Sequence, residues 1–218
     1  MPNVRSSRPP RKTRALIALA AVMSACVAVL SGCGGSSRAS DASAAAKASR
    51  LDAPLTLRPP APSPEFELRD STGKLVRLSQ FKGKAVLLTF IYDHCPDLCP
   101  LIVSDLHTAL GKLGKEASRV QIIAVSVDPK GDTPSTVKAF LARHEMTGRM
   151  EYLIGSFKQL APVWKAYGVG VQASPDSREV DHSAFVYGIT AGGKRMALYP
   201  SELKPEWIVH DVPILASS

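Results

Sequence analysis

Two nearly continuous apolar runs, residues 85–92 and 120–127, are the strongest features of the hydrophobic pattern. Runs of this length and composition are typical of strands that are buried on both faces of a sheet. After the first run, apolar residues recur at helical spacing from Ile102 to Leu113, and Pro100 suits the first turn of such a helix. The pattern therefore predicts a strand, a short loop and a long helix in succession.

Two β-hairpins are predicted near the ends of the folded region. Residues 66–70 and 75–78 flank a Ser-Thr-Gly turn, and residues 184–190 and 195–199 flank an Ala-Gly-Gly turn. Alternating or β-rich runs on both sides of such turns are typical of antiparallel strand pairs. A short β-rich run at residues 152–154 predicts one more strand.

Three further helices are predicted after the long one. Thr133 is the expected N-cap of the first, with Pro134 at its first helical position. Residues 157–167 form the second, and the third runs from about Pro205 until Pro213 limits it. Alternating strands and helices that end in a hairpin indicate an α/β sandwich with a mixed central sheet. The cysteine loop between a central strand and the long helix narrows this to a thioredoxin-like fold with an added N-terminal β-hairpin.

The first 32 residues predict an export leader. Five basic residues and no acidic ones accompany the apolar stretch 15–30, which is shorter than the ~20 residues that a spanning helix needs. The stretch ends in Leu30-Ser31-Gly32-Cys33, which resembles the lipobox of bacterial lipoproteins. This resemblance predicts cleavage before a lipidated Cys33, and a plain signal peptide or an uncleaved membrane anchor is the alternative.

Residues 34–60 are rich in Ser, Ala and Pro and carry no apolar period. They predict a flexible tether, so that residues 33–60 would comprise the lipidated cysteine and its linker. The folded domain is then predicted to span residues 61–218. Removal of the leader lowers the formal charge from +8 to +3, which is too weak to indicate binding to nucleic acid.

The loop after the first apolar run carries the chemistry. Cys95 and Cys99 are spaced C-x-x-x-C at the start of the long helix, whose positive end favours thiolates. Two thiols at this spacing can form a disulfide, attack a substrate or hold a metal, and a third ligand would favour the metal. Thiolate together with imidazole suits Cu(I), Cu(II) and zinc.

Five histidines are available as a third ligand. His182 stands in a polar loop directly before an apolar strand, and in a thioredoxin-like layout this loop faces the thiol loop. His94 is adjacent to Cys95 but would have to fold back against its own strand, so a hydrogen-bonding role is expected for it. The other three are expected to be structural or solvated: His107, His144 and His210.

Three motifs in this order and spacing resemble the signatures of the Sco (SenC) family. They are Cys95-Pro96-Asp97-Leu98-Cys99-Pro100, Ser126-Val127-Asp128-Pro129 with Asp132-Thr133-Pro134, and Val180-Asp181-His182-Ser183-Ala184. The similarity extends from about Pro64 to the terminal helix. Members of that family are membrane-attached, thioredoxin-fold copper proteins linked to assembly of the binuclear copper site of cytochrome c oxidase. The resemblance implies copper, as Cu(I) or Cu(II), bound by Cys95, Cys99 and His182.

Three aspartates near these motifs are expected to support the site without binding the metal. Asp97, between the cysteines, is expected to dock a partner or to contact a ligand. Asp181 either orients His182 through its second ring nitrogen or serves a turn. Asp128 is expected at a strand end, and its role near the site is implied by the resemblance alone. Asp93 stands where the family often has Thr, which adds negative charge and removes no ligand.

The resemblance implies an extracytoplasmic copper metallochaperone, held by a lipid anchor on a bacterial cell membrane with its domain facing the periplasm. Expected partners are the copper-site subunit of the oxidase and other copper chaperones, with no nucleic acid. The alternative is a membrane-tethered thiol–disulfide oxidoreductase or redox sensor acting on the oxidase cysteines. His182 separates the two, because metal binding needs it and disulfide exchange does not. Ser183 also follows His182 where a typical thioredoxin has a cis-proline, which argues against a general disulfide reductase.

Overall fold

A computed structural model describes residues 50–173 and 180–218 of the chain. The predicted leader, Cys33 and the first part of the predicted tether lie outside the described residues. The buried apolar core begins at Leu51 and ends at Leu215. A segment of residues 50–218 therefore contains every buried apolar residue of the described part of the chain.

The described residues contain ten strands, which we number in chain order. Their bounds are β1 Leu55–Pro62, β2 Glu67–Asp70, β3 Leu75–Arg77, β4 Ala85–Ile91, β5 Val120–Ser126, β6 Met150–Ile154, β7 Val171–Ala173, β8 Val180–His182, β9 Phe185–Ile189 and β10 Lys194–Pro200. The described residues also contain four α-helices, α1 Leu98–Leu113, α2 Pro134–Arg143, α3 Phe157–Tyr167 and α4 Pro205–Leu215, and two 3-10 helices, Leu78–Phe81 and Gly114–Arg119.

Eight strands form one mixed sheet in the order β1-β10-β9-β4-β5-β6-β2-β3. β4 and β6 pair in parallel with β5, whereas the other pairs in this sheet are antiparallel. Every residue of the central strand β4 is buried, as its continuous apolar run predicts. The predicted α/β class, the mixed sheet and the N-terminal hairpin of β2 and β3 are confirmed.

The helices mostly begin and end where the sequence predicts. Thr133 caps α2 by accepting a hydrogen bond from the backbone N–H of Thr136. The limit predicted at Pro213 is wrong, because α4 continues through this proline to Leu215. Proline lacks the N–H for one helical hydrogen bond, but its neighbours Val212 and Leu215 are fully buried. We infer that their packing holds the last turn.

The folded region begins earlier than the predicted boundary at residue 61. β1 pairs antiparallel with β10, and both Leu51 and Ala53 are buried. Asp211 of α4 accepts hydrogen bonds from the backbone N–H groups of Asp52, at 2.7 Å, and Ala53, at 2.9 Å. The prediction of a flexible tether is therefore wrong for residues 50–60. β1 shows no apolar period because it is an edge strand with largely exposed side chains, where proline is also tolerated.

A small second sheet was not predicted. β7 and β8 pair antiparallel, with Val171 opposite His182, so His182 ends a short strand instead of standing in a loop. Three-residue strands give too short a pattern to recognise from sequence. The pairing fixes the backbone that carries His182.

The sheet topology brings three chain segments to one edge. β4 and β5 are parallel, so the loops that follow them leave from the same edge. β9 is antiparallel to β4, with Thr89 opposite Val186, so the residues just before β9 lie at that edge too. The thiol loop, the segment after β5 and the end of β8 are therefore neighbours. No helix in the described part of the chain has the length and apolar character needed to cross a membrane.

Candidate metal centre

Cys95 lies in the loop between β4 and α1, and Cys99 lies in the first turn of α1. Asp97 is the N-cap residue of α1, and the backbone N–H of Cys99 donates to Cys95 Sγ at 3.4 Å. Cys99 is buried and Cys95 is half-buried, and both are free thiols. The helix start therefore presents one accessible sulfur and one enclosed sulfur side by side.

The two thiols differ in proton affinity. The hydrogen bond from Cys99 lowers the pKa of the Cys95 thiol, and the backbone N–H groups of Asp97 and Cys99 act in the same direction, although burial opposes them. The same hydrogen bond and burial raise the pKa of Cys99. Burial is also the main cause that raises the pKa of Tyr92 to about 12. Cys95 is thus the thiolate of the pair when no metal is bound.

His182 faces this pair across the sheet edge. Its Nε2 lies 4.0 Å from Cys99 Sγ, although the two residues are 83 positions apart in sequence. Its Nδ1 lies 3.2 Å from the carbonyl oxygen of Ser183, which can only accept, so Nδ1 carries the proton. Burial lowers the pKa of His182. The imidazole is therefore neutral, with the Nε2 lone pair beside Cys99 Sγ, as a metal ligand requires.

The donor set fits one soft metal ion. Metal–sulfur bonds of about 2.3 Å and metal–nitrogen bonds of about 2.0 Å together exceed the 4.0 Å between Cys99 Sγ and His182 Nε2, so one ion can contact both atoms. Two thiolates and one imidazole match the preference of copper and zinc. The predicted ligand set of Cys95, Cys99 and His182 is brought together by the fold.

The aspartates named from the sequence have different positions. The side chain of Asp97 is exposed and does not cap the helix, so its docking role stays a prediction. Asp181 is exposed, and the Nδ1 of His182 is bonded to Ser183 instead. The proposed orienting role of Asp181 is therefore wrong. Alternation along β8 explains this, because adjacent residues of a strand point to opposite faces.

Asp128 lies near the site but contacts His94 instead of a ligand. Its Oδ2 is 3.4 Å from His94 Nε2, and its Oδ1 accepts from the backbone N–H of Lys130. His94 Nδ1 in turn lies 2.9 Å from Asp93 Oδ1. The hydrogen-bonding role predicted for His94 is confirmed, and it joins the thiol loop to the segment after β5.

Two buried residues of this region were missed. Asp132 accepts a hydrogen bond at 2.9 Å from the backbone N–H of Asp93 and another at 2.9 Å from the Tyr152 hydroxyl. Burial raises its pKa to about 7. The sequence suggested only a helix start here, because an aspartate before Thr-Pro is typical of a cap. The hydroxyl of Tyr92 accepts from the backbone N–H of Val180 at 3.4 Å and so connects β8 to the thiol loop.

The remaining histidines have partners elsewhere. His107 Nε2 lies 3.7 Å from Glu145, and His144 is the C-cap residue of α2. His210 Nδ1 lies 2.8 Å from Asp211. Their structural or solvated roles agree with the prediction.

A family model described as SCO1/SenC matches residues 56–217. The "SCO2-like protein" of Rickettsia felis is 27% identical over 152 residues, which are 66% of this chain and 72% of that protein. The "Protein SCO2 homolog, mitochondrial" of Bos taurus is 30% identical over 154 residues, 68% of this chain and 57% of its own length. The chain thus spans little more than half the length of the bovine relative.

Solved structures with the same fold include ScoI of Bradyrhizobium japonicum with copper bound. It is 32% identical with a TM-score of 0.64, and the match covers 71% of this chain and 99% of the ScoI chain. A SCO1/SenC family lipoprotein of Bacillus anthracis is 25% identical, with a TM-score of 0.66 and coverage of 75% and 99%. BsSco, described with a disulfide switch as a member of the Sco family of cytochrome c oxidase assembly proteins, is 25% identical, with a TM-score of 0.63 and coverage of 77% and 98%. The expected thioredoxin-like fold is confirmed.

Proposed function

Because the chain belongs to the SCO1/SenC family, we propose that it is an extracytoplasmic copper metallochaperone that assists assembly of the binuclear copper site of cytochrome c oxidase. One observation carries this proposal. The fold brings His182 Nε2 to 4.0 Å from Cys99 Sγ, and the backbone N–H of Cys99 donates a hydrogen bond to Cys95 Sγ. Two thiolates and one imidazole are donors that suit copper, and the Bradyrhizobium relative has copper bound.

Each ligand is prepared by its own part of the chain. The start of α1 directs a backbone N–H at Cys95 Sγ, which stabilises a thiolate there. The carbonyl of Ser183 fixes the tautomer of His182. Copper held by these soft donors would be delivered by ligand exchange with a partner's cysteines. The half-buried Cys95 is the sulfur that a partner reaches first.

Partner docking would use the surface around the thiols. Leu98 and Leu101 on the first turn of α1 are large apolar side chains that are 37% and 42% exposed, and the exposed Asp97 lies beside them. An apolar patch with one carboxylate at its rim is a common design for a transient interface. We propose that the copper-site subunit of the oxidase, or another copper chaperone, binds here.

Membrane attachment would come from the N-terminal segment. The lipobox ending at Cys33 and the apolar stretch before it support a lipid anchor on a bacterial cell membrane. A family member from Bacillus anthracis is itself a lipoprotein. We propose that residues 34–49 tether the domain on the periplasmic or other extracytoplasmic side, where disulfides can also persist.

A second function rests on the contrast between the two thiols. A thiolate at Cys95 beside a protonated Cys99 is the arrangement from which disulfide exchange begins. BsSco is described with a disulfide switch. A thiol–disulfide oxidoreductase or redox sensor acting on the oxidase cysteines is therefore the competing function, and it needs no histidine.

Replacement of His182 separates the two functions. In a segment of residues 50–218, we expect His182→Ala to weaken Cu(I) and Cu(II) binding at least a hundredfold while Cys95 and Cys99 still form a disulfide. His107→Ala is the matched control, since its ring pairs with Glu145 outside the site. Competition with a chelator of known affinity measures the binding. Wild-type affinity in His182→Ala would exclude the three-ligand site.

The second measurement is the absorption spectrum after Cu(II) loading. We expect a thiolate-to-copper charge-transfer band in wild type that is lost in Cys95→Ser. A protein that binds no copper but cycles its disulfide would instead favour the oxidoreductase.

A further inference from the structure

A cluster of oxygen and nitrogen donors lies beside the thiols and outside the set of three ligands. Asp93, His94 and Asp132 each offer one ligand atom, and these atoms all lie within 4.8 Å of one another. Asp128 Oδ2 is 3.4 Å from His94 Nε2 on the other side of the ring. We propose that Asp93, His94 and Asp132 form a second cation site, which takes a divalent first-row transition-metal ion.

The carboxylate of Asp93 is the observation that points to a ligand. Its side chain is only 7% exposed, and its Oδ2 is a buried oxygen with no hydrogen-bond partner. Its other oxygen, on the same carboxyl carbon, contacts His94 at 2.9 Å. An unpartnered buried carboxylate oxygen is costly, and a cation in this cluster would satisfy it.

The backbone is shaped around the histidine and its acidic neighbour. A Cβ atom on Gly131 would lie 2.1 Å from Asp128 Oδ2 and 2.6 Å from His94 Cε1. Any larger residue at this position would displace Asp128 or His94 from its present place. The tight fit holds the ring of His94 in place and shows that the cluster is built into the fold by the segment after β5.

The charges in the cluster are not balanced by basic side chains. Asp132 receives its hydrogen bonds from the backbone N–H of Asp93 and from the hydroxyls of Tyr152 and Ser126, and all three donors are neutral. Within the described ion pairs, Asp93 and Asp128 are paired with His94. Each bonded carboxylate oxygen keeps a second lone pair for a metal. Three carboxylates around one imidazole therefore favour a dication.

The donor types select the class of ion. Carboxylate and imidazole bind zinc at about 2.0–2.2 Å, so two ligand atoms on one ion lie at most about 4.4 Å apart, which is close to the 4.8 Å limit on the present spacing. Sulfur is absent from this cluster, so it disfavours Cu(I), which prefers thiolates. The two neighbouring sites would thus differ in the ions they bind, one suited to soft Cu(I) and one to a harder divalent ion.

Zinc titration of a thiol-free protein tests the site without relying on copper chemistry. In residues 50–218 with Cys95→Ser and Cys99→Ser, we expect calorimetry to detect one Zn²⁺ per chain. Adding Asp93→Asn, which keeps the side-chain shape, should weaken this binding at least tenfold. Asp52→Asn is the charge-matched control in another region and should leave the affinity unchanged. Circular dichroism and thermal unfolding verify that each variant is folded.

Two results would overturn the second site. One is the absence of Zn²⁺ binding at micromolar concentration in the thiol-free protein. The other is binding that Asp93→Asn leaves unaltered, which would indicate adventitious contact with surface groups. Copper binding through Cys95, Cys99 and His182 is measured in wild type, so failure of either site leaves the other test intact.

Discussion

Two buried aspartates, Asp211 in α4 and Asp132 at the thiol edge, differ in their surroundings. Asp211 in α4 accepts hydrogen bonds from the backbone N–H groups of Asp52 and Ala53 and from the Tyr199 hydroxyl at 2.8 Å. His210 Nδ1 also lies 2.8 Å from Asp211 Oδ1. Both oxygens of Asp211 are therefore fully used, and they hold the N-terminal segment to the terminal helix.

Asp132, at the thiol edge, is also buried, but its donors include no histidine and it lies beside other carboxylates. The backbone N–H of Asp93 and the hydroxyls of Tyr152 and Ser126 donate to its oxygens, whereas the neighbouring Asp93 keeps an unpartnered oxygen. Burial raises the pKa of Asp132 to about 7. Buried polar groups that all have hydrogen-bond partners stabilise a fold. A buried polar atom without a partner needs an explanation, such as a bound ion or a functional role. The hydrogen bonds of Asp52 and Ala53 to Asp211 form a structural clamp, whereas the carboxylates at the thiol edge belong to a functional region.

The largest effect is expected from breaking the clamp. Asp211→Ala leaves the buried Ala53 N–H and Tyr199 hydroxyl and the part-buried Asp52 N–H without their acceptor. Since each polar group left without its partner costs about 1–3 kcal/mol, we expect the free energy of unfolding to fall by about 3–9 kcal/mol for these three groups. Urea denaturation of residues 50–218 measures it. Asp52→Ala, whose side chain is exposed, is the control and should change stability by less than about 0.5 kcal/mol.

A loss below about 1 kcal/mol in Asp211→Ala would contradict the clamp. It would mean that residues 50–53 are held by the pairing of β1 with β10 alone, and that the contrast with Asp132 has no energetic basis.

A somewhat smaller effect is expected at Asp132, and it depends on pH. Burial raises the pKa of this carboxyl from 3.8 to about 7, so the folded state holds a proton that the unfolded chain releases. The resulting stability is fully present below about pH 4 and is lost as the pH rises to about 7. At 1.36 kcal/mol per unit of pKa, the loss is at most about 4 kcal/mol.

Asp132→Asn should remove this pH dependence. The amide oxygen can accept from Asp93, and the amide N–H₂ can donate to the Tyr152 hydroxyl. We expect the stability difference between variant and wild type, measured with a chelator present, to shift in favour of the variant from pH 4 to pH 7. A difference that stays constant over this window would show that folding does not raise the pKa of Asp132.

The part of the site that depends on local sequence was predictable. Cys95 and Cys99 follow a continuous apolar run and precede a helix, so their spacing and position predict adjacent sulfurs. His182 is 83 positions from Cys99, and only the antiparallel pairing of β9 with β4 brings it there. The thioredoxin-like layout predicted that the loop of His182 faces the thiol loop, and the resemblance to a family implied that His182 is a ligand. Without it, two thiols left a disulfide, a nucleophile and a metal site open.

The parts that failed depend on tertiary contacts with no local signal. β1 is an exposed edge strand, so nothing in its pattern separates it from a linker. The face on which Asp181 points follows from the β7–β8 register, which a three-residue strand does not reveal. Asp132 is buried because Tyr152, from a different strand, covers it. In each case long-range packing decides, and a single sequence does not encode it in any short window.

The smallest effect expected at the thiol edge concerns reactivity. In the reduced, metal-free protein the pKa of Cys95 is lowered to about 5, chiefly by its hydrogen bond with Cys99, while Cys99 is fully buried. We expect iodoacetamide to modify Cys95 at least tenfold faster than Cys99 at pH 7, equivalent to about 1.4 kcal/mol. The Cys95 rate should rise between about pH 4 and 6 and then level off, because thiolate formation is complete there. Peptide mass spectrometry assigns the modified residue, and Cys95→Ser isolates the slow reaction of Cys99. Equal rates would mean that the helix start does not distinguish the two sulfurs.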